Sequence, residues 1–76
     1  MSKQKMLAEL ITGDIISYMM EDQEISLVEA MHRFYASQTF AKLVDPETGL
    51  YLESSLYIYD IFKAEQENGK LVQLEV

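Results

Sequence analysis

The sequence predicts an all-α protein, a small bundle of three longer helices plus one short helix in a single domain over residues 1–76. Three observations carry that reading. Apolar residues recur at the helical period of about 3.6 residues in three separate stretches. Ser26-Leu27-Val28-Glu29 matches a capping box, with serine at the N-cap and glutamate three positions later. The connections between stretches are short, which favours neighbouring helices packing together in antiparallel fashion.

The first helix is expected over residues 3–22. A step of about 100° per residue places Leu7, Leu10, Ile11, Ile15 and Tyr18 on one face, the expected core face. Asp14 falls between Leu10 and Tyr18 on the same wheel. It is expected at the edge of the stripe, reaching water, because carboxylates are rarely fully buried. The sharper reading is a buried contact to a tyrosine hydroxyl. Gly13 is unusual in mid-helix, costing about 1 kcal/mol against alanine, and allows another backbone to approach closely. Ile16 and Met20 project from the opposite side, either wrapped by the chain or left as an apolar patch.

Glu21 to Glu24 form a polar break, and Ser26 then caps a second helix running to about Ala36. Leu27, Ala30, Met31 and Phe34 make its stripe, with Tyr35 beside it and Glu29, His32 and Arg33 facing away. Ser37 or Thr39 starts a third, short helix containing Phe40, Ala41, Leu43 and Val44. Asp45-Pro46-Glu47-Thr48-Gly49 ends it, since proline disfavours helical geometry at Asp45 and Gly49 tolerates a positive φ. Leu50 to Leu52 read as a short extended segment. Ser54 or Ser55 caps the last helix, which runs to about Glu67 with Tyr57, Ile58, Ile61 and Phe62 on one face and Asn68-Gly69 as its stop. The tail from Lys70 to Val76 is either a frayed end or a short C-terminal strand beside Leu50–Leu52 or another chain.

Composition narrows the function classes. There is no cysteine, so neither a disulfide nor a thiolate zinc site can supplement a core this small. Thirteen acidic against six basic side chains give a formal charge of −7, which disfavours phosphate backbones and anionic membranes. Glu9 and Asp14 interrupt the N-terminal apolar run, so neither a signal peptide nor a membrane span is expected, and the cytoplasm is the default location. His32 is the only histidine and has no second ligand nearby in sequence. Asp45 and Glu47 are too few for a calcium loop and read as a solvated turn. No cofactor or metal is therefore expected.

The pattern carried by Phe34, Tyr35, Ser37, Thr39, Phe40, Leu43, Asp45, Glu47 to Tyr51, Ser54, Tyr57, Tyr59, Asp60 and Glu65 resembles a family of small helical proteins of gut and soil bacteria. Such relatives often carry proline directly after the serine that opens the last helix, where this chain has Ser55. The resemblance implies a genetic setting like that of toxin–antitoxin modules, and it implies no catalytic residue.

The expected function is that of a small acidic protein–protein interaction module, antitoxin-like or a regulatory subunit, with no catalytic activity of its own. The alternative is a nucleic-acid-related role, as a DNA-mimic inhibitor or a small helical DNA-binding regulator. The basic residues are too scattered for phosphate contacts to favour the latter. An enzyme would have to draw its acid–base groups from Asp14, Glu65, Tyr57 and Tyr59, which more often make structural contacts. Ile16 and Met20, with Leu56 and Tyr59 off the main stripe of the last helix, are the expected interface residues. A homodimer or a heterologous protein partner would cover them.

Overall fold

Four serines open the four helices. The computed structural model describes residues 2–69, with α1 at Lys3–Gln23, α2 at Leu27–Tyr35, α3 at Gln38–Val44 and α4 at Ser55–Asn68. The hydroxyls of Ser2, Ser26, Ser37 and Ser54 accept from the amides of Lys5, Glu29, Phe40 and Tyr57 at 3.0–3.1 Å. Each such cap satisfies an amide with no partner inside its helix and is worth about 1 kcal/mol. α1 ends at Glu24, which takes the left-handed conformation (φ 54°) without being glycine. α4 ends at Gly69, whose amide donates to Glu65 O at 2.7 Å.

The expectation of an extended segment at Leu50–Leu52 does not hold. Two single-turn 3-10 helices, Pro46–Thr48 and Leu50–Leu52, join α3 to α4, and no strand is present among the described residues. Gly49, at φ 69°, turns the chain between them. The Thr48 hydroxyl then accepts from Leu50 N (3.1 Å), and Gly49 O accepts from Leu52 N (3.0 Å). With these amides satisfied locally and Leu50 buried, the segment stays coiled. The expected C-terminal strand at 70–76 lies outside the described residues.

The core gathers Ile15 and Met19 of α1, Phe34 of α2, Leu43 of α3 and Ile58, Ile61 and Phe62 of α4. Phe34 is its hub, meeting Phe62 edge-on at 5.2 Å and Phe40 at 5.5 Å between ring centres. α1 packs against all three other helices. Its buried face is Ala8, Ile11, Thr12, Ile15, Ile16 and Met19, about a quarter turn from the face expected. Leu10, expected in the core, is 61% exposed, Tyr57 is exposed as well, and Leu7 and Tyr18 are half-buried.

Neighbours are not uniformly antiparallel. Asp14 meets Ser55, Tyr18 meets Tyr59 and Gln23 meets Gln66, so α1 and α4 run in the same sense along their contact. That is possible because α2, α3 and the 3-10 turns first carry the chain back along α1. α3 runs the other way: its first residues are held by Glu65 near the end of α4, and its last, Val44, receives a bond from Gln4 near the start of α1.

Candidate functional site

The side of α1 facing α3 carries small residues. Ala8, Thr12 and Gly13 lie there, and the Thr12 hydroxyl turns back to Ala8 O at 2.8 Å. Opposite them stand Phe40 and Val44 of α3, with Tyr35 from the end of α2. Short side chains against large ones leave an open groove of about 850 Å³, with buried Ala8 and Ile16 in its wall and exposed Lys5, Glu9 and Gly13 along its edge. A Gln4 Nε2 bond to Val44 O (3.3 Å) ties α1 to the last residue of α3. On the aromatic side Tyr35 and Phe40 meet edge-on at 5.0 Å.

A second, shallower depression of about 450 Å³ lies between α1 and α4, lined by Tyr18, Glu21, Asp22, Leu56, Tyr59, Asp60 and Lys63. The Tyr59 hydroxyl donates to Asp22 Oδ2 at 2.9 Å and accepts from Gln23 Nε2 at 3.4 Å. Gln23 continues the network, donating to Gln66 Oε1 and accepting from Arg33 Nη1, which belongs to the guanidinium paired with Glu29 at 2.7 Å. Burial pushes the Tyr59 phenol above its ordinary pKa of 10.0; the bond from Gln23 lowers it, and the bond to Asp22 with its negative charge adds to the rise. The phenol therefore stays protonated at neutral pH and is poorly suited to proton transfer.

The expected interface residues do not form one surface. Ile16 is buried in the wall of the groove, and the Tyr59 ring is buried against Tyr18. Met20 (36% exposed) lies on α1, while Leu56 (64% exposed) lines the α1–α4 depression. Asp14 reaches water as expected and accepts from the Ser55 hydroxyl at 2.7 Å, not from a tyrosine. Asp45 is exposed and caps the first 3-10 turn by accepting from Glu47 N. Among the described residues no group of three or more histidine, aspartate or glutamate side chains could hold a metal ion, and no helix is long and apolar enough to cross a membrane.

Tyr35, Phe40 and Val44 come from two helices, and nothing in their spacing marks them as lining one groove. Their convergence depends on how α3 seats against α1. Comparison with protein families, with characterised proteins and with solved structures gives no match.

Proposed function

We propose that the chain is a small acidic protein–protein interaction module, an antitoxin-like or regulatory subunit without catalytic activity of its own. The groove between α1 and α3 is the observation that supports this reading. It is open, mostly apolar and backed by a packed core, the kind of surface that receives apolar anchors from another protein. The net charge of −7 favours a segment that flanks those anchors with lysine or arginine.

The test is capture from the native host with the tagged chain and with Val44→Glu, a change at an exposed groove position, with circular dichroism confirming that the variant is folded. One protein retained in fixed ratio by the wild type and lost by Val44→Glu supports the module. A bound protein indifferent to Val44→Glu removes the groove from the reading. The acidity also supports a second reading, mimicry of nucleic acid, which predicts that the captured protein is itself a nucleic-acid binder displaced by added DNA.

A further inference from the structure

The outer face of α1 carries a second pattern, which shares only Gly13 with the edge of the groove. Lys3, Met6, Leu10, Gly13, Ser17 and Met20 follow one another at alternating three- and four-residue steps, Glu24 comes four residues on at the left-handed cap just past the helix, and all seven are exposed. That is the spacing of a coiled-coil seam, about 3.5 residues on average. The order has a rough mirror symmetry: a base and an acid at the ends, methionine inside each, and Gly13 in the middle between Leu10 and Ser17.

Two features of α1 point beyond one chain. A Cβ added at Gly13 would meet nothing within 4 Å, so neither packing nor a tight turn demands glycine there. The charges of α1 also oppose its dipole. Its first turn holds Lys3 and Lys5 and no acid, while Glu21 and Asp22 lie in a last turn with no base.

We propose that α1 pairs with α1 of a second copy of this chain, antiparallel, with the two Gly13 residues at the crossing. Reversed on itself, the seam sets Lys3 opposite Glu24, Met6 opposite Met20 and Leu10 opposite Ser17. Leu10 of each copy fills the hollow left by Gly13 and Ser17 of the other. The basic start of each helix meets the acidic end of its neighbour, and the opposed dipoles attract. One surface serves both copies, as a twofold contact requires.

Charge reversal at the two ends tests this. One variant carries Lys3→Glu and Lys5→Glu; the other carries Glu21→Lys and Glu24→Lys. Wild-type chain should sediment as a dimer at high concentration and dissociate on dilution. Each variant alone should self-associate about tenfold more weakly or worse, and an equal mixture should regain the dimer at wild-type strength. The lysine variant has the smaller net negative charge, so tighter self-association by it would show that overall repulsion governs and would overturn the proposal. A wild-type monomer at every concentration, or a mixture that stays dissociated while the wild type dimerises, would overturn it too. Circular dichroism guards against unfolding, since acid at the start of α1 should raise helix stability. Val44→Glu should leave this association unchanged, which separates the face from the groove.

Discussion

Glu65, near the end of α4, accepts both the amide and the hydroxyl of Thr39, twenty-six positions earlier, at 3.0 and 2.7 Å. Its other oxygen accepts the amide of Gln38 at 2.8 Å. One carboxylate thus serves the N-terminal amides of α3, where the partial positive charge of a helix favours an anion. Thr39 is fully buried, so without Glu65 its hydroxyl would lose that partner inside the core. Glu65→Ala should therefore cost about 2–4 kcal/mol and Thr39→Val about 1–2 kcal/mol. Urea unfolding of both singles and the double should show the double costing clearly less than their sum. Simple additivity would mean that the two side chains act independently.

Ile61 belongs to both the expected and the observed core, whereas Leu10 belongs only to the expected one. Ile61 is fully buried, and Ile61→Ala should cost about 2–5 kcal/mol. Leu10→Ala, measured on dilute chain, should change stability by no more than about 0.5 kcal/mol because the side chain is largely in water. Comparable losses at both sites would restore the face first expected for α1.

Tyr59 gives a pH dependence with a defined sign. Its folded pKa lies above the unfolded value of 10.0, so the native state favours the protonated phenol. The contribution is fully present below pH 10.0 and is lost as pH rises from there through the folded value. The stability difference between wild type and Tyr59→Phe should be level through neutral pH and shift against the wild type in alkali. A difference that stays level in alkali would contradict the rise.

Gly13 separates stability from association. Gly13→Ala should stabilise dilute chain by about 1 kcal/mol, because the added methyl enters open space and helix propensity rises. The same methyl lies at the proposed crossing of two helices and should weaken self-association. Thermal melts at low concentration and sedimentation at high concentration read the two effects apart; a gain in both would place the crossing elsewhere on α1.

Helix existence was legible because it depends on local chemistry. Serine caps, Pro46 and the Asn68-Gly69 stop act within a few residues of themselves, and each reads directly from the chain. The rotation of α1 was not legible. Apolar residues lie on several of its sides, so Leu10 and Ile16 compete for the interior, and only packing against α3 and α4 decides for Ile16. Leu50–Leu52 was misread because a short apolar run suits a strand equally well until Gly49 and the Thr48 hydroxyl coil it. The expected interface kept Met20 and Leu56 at the surface and lost Ile16 and Tyr59 to the interior for the same reason.

α3 has seven residues, too few to remain helical by itself in water. Phe40 and Val44 on one side of it line the groove, while Glu65 grips its first amides from α4. The wall and its fastening therefore open together. Deuterium uptake at the amides of Gln38 and Thr39 should slow when a protein occupies the groove, even though those amides bond to Glu65 and not to the visitor. A proteolytic cut within α3 should slow in parallel, making this short helix a gauge of groove occupancy that requires no label on the partner.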